Sequence, residues 1–180
     1  GNTVIHCSAG VGRTGVVYVV LNLLSKGYTR YTDKSKDGSK DVSTKPVTYK
    51  IIFDCINEAR TRRDFLVQTE DQYKFIYRYF NGDNTVEIPK INDFDSLISN
   101  CIKSIGLKTE FKNKNRYPNI IPCEAYRVYK NLKTNNTTTT PKIKYINASN
   151  METLYINDNK IEIIAAQCPH TADTITDFYE

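Results

Sequence analysis

No hydrophobic stretch in this sequence is long enough to span a bilayer. The longest apolar run, Val16 to Leu24, is interrupted by Asn22 and falls well short of the ~20 residues a spanning helix needs. No secretory signal peptide is read at the start. The five cysteines, at 7, 55, 101, 123 and 168, include no Cys-x-x-Cys pair and leave an odd one over. That fits a reduced, cytosolic setting better than a disulfide framework. Tryptophan is absent altogether. A net charge of +5 is carried entirely by the first half, with thirteen Lys/Arg against eight Asp/Glu up to residue 80 and twelve against twelve beyond it. The excess lacks a Lys/Arg stripe with interleaved aromatics, so no nucleic-acid partner is expected. A local basic excess instead suits a site that attracts phosphate.

What is present is concentrated near the start. His6-Cys7-Ser8-Ala9-Gly10-Val11-Gly12-Arg13-Thr14-Gly15 follows a short β-prone run, Thr3-Val4-Ile5, and opens into the apolar segment Val16 to Leu24. Small residues between a cysteine and an arginine let the loop curl until successive N–H groups point inward. With a helix N-terminus they form a concave anion site. Arg13 adds a bidentate fork for two phosphoryl oxygens, and the same field favours Cys7 as a thiolate. A nucleophile at the floor of a phosphate cradle implies phosphoryl transfer to sulfur followed by hydrolysis.

This stretch resembles the signature loop of the classical protein tyrosine phosphatases, His-Cys-Ser-Ala-Gly-x-Gly-Arg-Ser/Thr-Gly. The resemblance implies that Cys7 attacks phosphorus while Arg13 and the N–H groups of Ser8, Ala9, Gly10, Val11 and Gly12 hold the oxygens. It also implies that Thr14 donates to the sulfur as it leaves, and that His6 helps to hold the loop. No metal and no cofactor are expected.

Farther along, the pattern predicts a helix from about 12 to 26, apolar nearly all round and hence buried, with Gly27 as its C-cap. A solvated insertion follows from Arg30 to Pro46. A second helix is expected from about 48 to 62, with Ile51, Ile52, Cys55, Ile56 and Ala59 on one stripe. Its end, Arg60-Thr61-Arg62-Arg63, is similar to the family's arginine pair, so Arg60 and Arg63 are expected to buttress the phosphate loop. Arg62 is left to offset the helix dipole. Thr69 with Gln72 forms a capping box for a third helix. The segment is also similar to the family's glutamine loop, in which Gln68 would position the hydrolytic water and Gln72 would hold it. A polar linker spans 81–90, and an amphipathic helix is expected from about 92 to 105. Lys114-Asn115-Arg116-Tyr117 resembles the phosphotyrosine-recognition loop, whose tyrosine stacks on the substrate ring. Tyr145 to Ser149 and Ala166-Gln167-Cys168-Pro169 match later strands. Cys168 stands where the family has Gly, Cys123 where it usually has Tyr, and Tyr179 where it has Trp.

The order of these matches is unusual. In the family, the recognition loop comes first and the signature loop last, whereas here the last part precedes the first. The reading adopted is a junction in a tandem, receptor-type phosphatase. Residues 1–80 would be the C-terminal part of one catalytic domain, 81–90 a linker, and 91–180 the N-terminal part of a second. The alternative is one circularly permuted, incomplete domain. The fold expected is the phosphotyrosine phosphatase α/β fold, a mixed sheet flanked by helices, present as two partial domains. On the junction reading Tyr117 stands apart from the Cys7 pocket. The family's leaving-group acid, an Asp in a Trp-Pro-Asp loop, is not in the sequence, so weak turnover is expected of this chain alone. The function implied is hydrolysis of phosphotyrosine in proteins, in the cytoplasm or in the cytoplasmic part of a membrane receptor. A phosphotyrosine-binding scaffold without turnover and a dual-specificity phosphatase are the alternatives.

Overall fold

A computed structural model describes residues 2–31, 47–82, 106, 108–129 and 144–179. Strand β1 (Asn2–Cys7) leads into helix α1 (Gly12–Ser25), followed by α2 (Tyr49–Arg62) and α3 (Glu70–Asn81). After two short 3-10 turns, at Thr109–Lys114 and Glu124–Tyr126, come β2 (Ala148–Asn150), β3 (Leu154–Ile156), β4 (Asn159–Gln167) and α4 (Ala172–Tyr179). This is an α/β architecture with a mixed sheet. β4 pairs in parallel with β1, from Asn2↔Glu162 to Cys7↔Gln167, and antiparallel with β2 and β3. The sheet therefore joins the two ends of the chain, and the last residue of β1 is the cysteine of the signature stretch.

The helices follow from local chemistry. The Thr48 hydroxyl caps α2 by accepting from the Ile51 N–H, and Thr69 caps α3 by accepting from the Gln72 N–H. The reciprocal half of the expected capping box is displaced by one residue, because the Gln72 Oε1 accepts from the Gln68 N–H at 2.8 Å. Gly27, at φ +84°, closes α1. Tyr18, Val19 and Leu23 of α1 pack with Ile52 and Ile56 of α2, Tyr73 and Ile76 of α3, and Ile163 of β4 in one core. Burying such side chains stabilises by about 1.5–3 kcal/mol each.

Helix α1 departs from the expectation of burial all round. Val17 is exposed, while Val16, Val20, Leu21 and Leu24 are half-buried. Its apolar residues encircle the helix, but the packing of α2, α3, β1 and β3 against it leaves Val17 uncovered. The strand expected at Tyr145 to Ser149 is shorter and later, covering Ala148–Asn150. A second correction concerns the cysteines. Cys7, Cys55 and Cys168 are free, but Cys123 is disulfide-bonded. Most of the insertion at 30–46 and of the linker at 81–90, the helix at 92–105 and the loop at 131–141 lie outside the described residues.

Candidate active site

The signature stretch makes a tight loop between β1 and α1. Gly10 takes φ +73°, and a Cβ there would lie 2.1 Å from the Ala166 carbonyl oxygen, so no other residue fits without moving β4. Gly12 lies beneath the glutamines, its hypothetical Cβ 2.9 Å from Gln72 Nε2 and 3.0 Å from Gln68 Oε1. Helix α1 starts with no side-chain cap and no acidic residue in its first turn. Its leading N–H groups are therefore open to an anion.

Cys7 is half-buried at the base of this loop, and its thiol is held below the usual value of 9.0. Burial opposes ionisation, but the Thr14 hydroxyl and the N–H groups of Thr14, Gly10 and Val11 lie close to the sulfur and outweigh it. The Thr14 hydroxyl is buried and closes no well-aligned hydrogen bond among the described residues, the Cys7 sulfur included, so its effect on the thiol is that of a nearby hydroxyl dipole. Since the thiolate persists until pH falls through the folded-state pKa, alkylation of Cys7 is expected to proceed below the pH needed for an ordinary thiol. Thr14→Val should move the midpoint of the alkylation profile upward. An unmoved midpoint would remove Thr14 from this role.

Arg63 and Arg60 hold the loops from behind. Arg63 is fully buried and donates from Nε to the Gly10 carbonyl at 2.7 Å, and from Nη2 to the Ala9 carbonyl at 3.1 Å. It also donates to Asn147 Oδ1 at 2.9 Å and Ser149 Oγ at 3.2 Å. Arg60 does not reach the signature loop in the way expected. Its Nε and Nη2 donate to the Leu66 and Val67 carbonyls, each at 2.8 Å. The Val67 N–H then donates to the Val11 carbonyl at 3.1 Å, so Arg60 supports that loop through the glutamine segment. Arg62 lies 4.7 Å over the Tyr126 ring instead of merely facing the helix end.

Tyr117 corrects another expectation. Its hydroxyl lies 3.0 Å from Ser8 Oγ, and a single cleft is lined by Cys7, Ser8, Ala9, Gly12, Arg13, Gln68, Gln72, Tyr117, Asn119 and Ile120. The Ser8 hydrogen bond, which outweighs slight desolvation, holds the Tyr117 phenol below its ordinary value. Tyr117 therefore shares the Cys7 pocket, because β1 and β4 bring the two parts of the chain together. His6 does not line this cleft. Side chains alternate across a strand, and its ring makes an edge contact with Phe178, centroids 6.1 Å apart.

The loop carrying Tyr117 is fixed by polar residues to which sequence reading assigned no role. Gln167 donates to the Lys114 carbonyl at 2.6 Å and accepts from the Arg116 N–H at 3.0 Å. Asn115 Oδ1 accepts from Tyr145 at 2.6 Å and from Asn147 at 3.0 Å. The signal was a run of polar residues at strand positions with apolar neighbours, Asn147 and Ser149 beside Ala148. Asn119, on the rim of the cleft, was also missed.

The protein-tyrosine phosphatase family model matches residues 1–81 and 111–180. The chain belongs to the protein-tyrosine phosphatase family. Among relatives, it is 30% identical to receptor-type tyrosine-protein phosphatase alpha of Homo sapiens over 208 residues, covering 99% of this chain and 23% of the relative. Receptor-type tyrosine-protein phosphatase epsilon of Homo sapiens is 27% identical over 99% of this chain and 26% of its own length. Tyrosine-protein phosphatase 1 of Saccharomyces cerevisiae is 37% identical over 46% of this chain and 26% of its own length. The chain thus spans about a quarter of the length of these relatives. No solved structure matches it. The cleft brings the signature stretch together with the segments carrying Gln68, Gln72 and Tyr117. Among the described residues, no helix is long and apolar enough to cross a membrane.

Proposed function

We propose that the protein containing this chain hydrolyses phosphotyrosine in proteins through a cysteinyl-phosphate intermediate. The observation that carries this reading is the Cys7 thiol, depressed by converging donors, in a cleft with Arg13, Gln68 and Tyr117. A phosphotyrosyl ring entering beside Tyr117 would deliver phosphorus to Cys7. Arg13 and the open N–H groups would bind the equatorial oxygens, where charge accumulates in the transition state. Thr14 would stabilise the sulfur as it departs. Gln68, with Gln72 beside it over Gly12, would orient the water that cleaves the thiophosphate bond. The proteins dephosphorylated are the partners on this reading, and the site works in the cytoplasm.

The domain assignment belongs to the same proposal. Residues 1–80 close one catalytic domain, 81–90 link, and 91–180 open the next; the junction reading does not survive in its simplest form, because the β1–β4 pairing and the shared cleft pack these two half-domains, from different repeats, against each other. One collinear match of 99% of the chain to a receptor-type phosphatase supports this over a permuted single domain, since a permuted order would break the match.

Among the residues lining the cleft, none is Asp, Glu or His, so protonation of the leaving oxygen falls to a group elsewhere. For this chain alone, aryl phosphates with acidic phenols should be cleaved far faster than phosphotyrosyl peptides, because only the latter need the acid. A leaving-group series read by phosphate release tests this. Equal rates across the series would place a general acid within the chain. A rapid burst of phenol release followed by slower phosphate release would support the intermediate, and trapping phosphate on any residue other than Cys7 would refute the mechanism.

A further inference from the structure

Arg127 carries a charge that the fold buries and only partly pairs. It stands just after the Glu124–Tyr126 turn, its backbone bridged to Ser149 of β2. The Val128 N–H that follows donates to the Ala148 carbonyl at 3.1 Å. The segment is thereby tied to β2, and its extended conformation at Arg127 sends side chains 127 and 129 to the same side. The guanidinium is only 2% exposed. Its Nε and Nη1 are buried and meet no acceptor among the described residues. A buried donor without an acceptor is costly, and a buried cation more so.

What covers this cation is Tyr129. The Arg127 Cζ lies 4.0 Å from the centroid of the Tyr129 ring, while Tyr129 itself is 56% exposed. The Tyr129 hydroxyl donates to Glu124 Oε1 at 2.7 Å, and Arg127 Nη2 donates to the same oxygen at 3.3 Å. One negatively charged oxygen is thus held between the phenol and the guanidinium. The Glu124 bond keeps the proton on the phenol, pushing its pKa above the ordinary value. Arg30 and Arg62 also lie over tyrosine rings, 5.3 Å from Tyr79 and 4.7 Å from Tyr126. Arg30 is exposed and Arg62 half-buried, so neither is a buried cation short of acceptors.

We propose that Tyr129 is a phosphorylation site and that Arg127 is the receptor for its phosphoryl group. Glu124 Oε1 marks the place. An anionic oxygen within reach of both the phenol and Nη2 stands where a phosphoryl oxygen carried by Tyr129 would lie. Phosphotyrosine has about −1.5 to −2 charges at pH 7 and three acceptor oxygens. One oxygen can accept from Nη2 and the others from Nε and Nη1, which the single carboxylate oxygen leaves without acceptors. Glu124, whose side chain is 35% exposed, is repelled and turns to solvent.

The partner this site requires is a protein tyrosine kinase using ATP. The terminal phosphorus of ATP bonds to the Tyr129 oxygen as its bond to the bridging oxygen breaks. ADP leaves, and the phenolic proton passes to a carboxylate base of the kinase.

The test uses the full chain carrying Cys7→Ser, so that the phosphatase site does not remove the label. A tyrosine kinase domain of broad specificity, supplied with ATP, should place phosphate on Tyr129, as read by peptide mapping in a mass spectrometer. The second readout is the ³¹P titration of that phosphate. The guanidinium favours the dianion, so the second ionisation should fall about one pH unit below its value in the same chain unfolded in urea. Arg127→Gln should abolish the shift. Should that variant fail to fold, Glu124→Gln decides: removing the competing carboxylate should deepen the shift, and losing the shift there would overturn the proposal. Phosphate on Tyr155 or Tyr179 with none on Tyr129, or no phosphate at all, would also overturn it. An unshifted titration in the folded chain would leave Arg127 a purely structural place beneath the ring. These readouts do not involve turnover by Cys7, so they succeed or fail independently of the phosphatase reading.

Discussion

Replacing Cys7 by serine in the protein that contains this chain is expected to lower phosphotyrosyl turnover by a factor on the order of 10⁴ or more. Binding of the phosphotyrosyl group should survive. The argument rests on separable parts of the site. On the proposed mechanism, binding comes from Arg13, the open start of α1 and the ring of Tyr117, none of which needs the sulfur. Bond making comes from the thiolate, whose ionisation is supported by Thr14, Gly10 and Val11. A serine hydroxyl in the same place has an ordinary pKa far above the working pH, and the lined cleft offers it no carboxylate or imidazole base. The paired measurement is the steady-state rate with a phosphotyrosyl peptide and the peptide's affinity by calorimetry. Unchanged turnover would dismiss Cys7 as nucleophile. If affinity collapsed along with rate, the anion cradle would depend on the sulfur, contrary to the geometry.

The tight loop from Cys7 to Arg13 and the helices α1, α2 and α3 were legible in the sequence because each rests on short-range information. Gly10 and Gly12 mark a loop that must curl, and the stripe at Ile52, Cys55 and Ile56 marks a buried helix face. The position of Tyr117 was not legible, since it depends on β1 pairing with β4, a contact across more than a hundred residues that neither strand announces. The division of labour between Arg60 and Arg63 was hidden for a related reason. Their spacing is that of neighbours on one helical face, but Arg63 is the C-cap of α2, in extended conformation. The change in backbone direction there sends the two guanidinium groups to different loops. His6 stands next to Cys7 in the sequence but, by strand alternation, outside the cleft and against Phe178. The exposed Val17 shows that composition gives an apolar circumference without saying which side is covered.

The same Arg63 sets the second large expectation. Arg63→Ala should destabilise the chain by about 3–5 kcal/mol, a large share of the ~5–15 kcal/mol typical of a domain. The guanidinium is fully buried, and that burial pulls its pKa down to about 10, with Tyr145 and Cys7 acting in the opposite direction. It remains in place because it satisfies four acceptors, the Gly10 and Ala9 carbonyls, Asn147 Oδ1 and Ser149 Oγ. Removing it leaves those acceptors buried without their donor. The consequence reaches the nucleophile through the peptide planes. Each carbonyl belongs to a peptide unit whose N–H points the opposite way, so holding back the Ala9 and Gly10 carbonyls turns the Gly10 and Val11 N–H groups toward Cys7. Those are the two N–H groups that, with Thr14, favour its thiolate. Arg63→Ala should therefore raise the midpoint of Cys7 alkylation as well as lower the denaturation midpoint. Arg63→Lys, which keeps the charge but not the fork, should recover only part of each. A loss below about 1 kcal/mol in Arg63→Ala, or an unshifted alkylation profile in a variant that still folds, would break the link between the buried arginine and the reactivity of the cysteine.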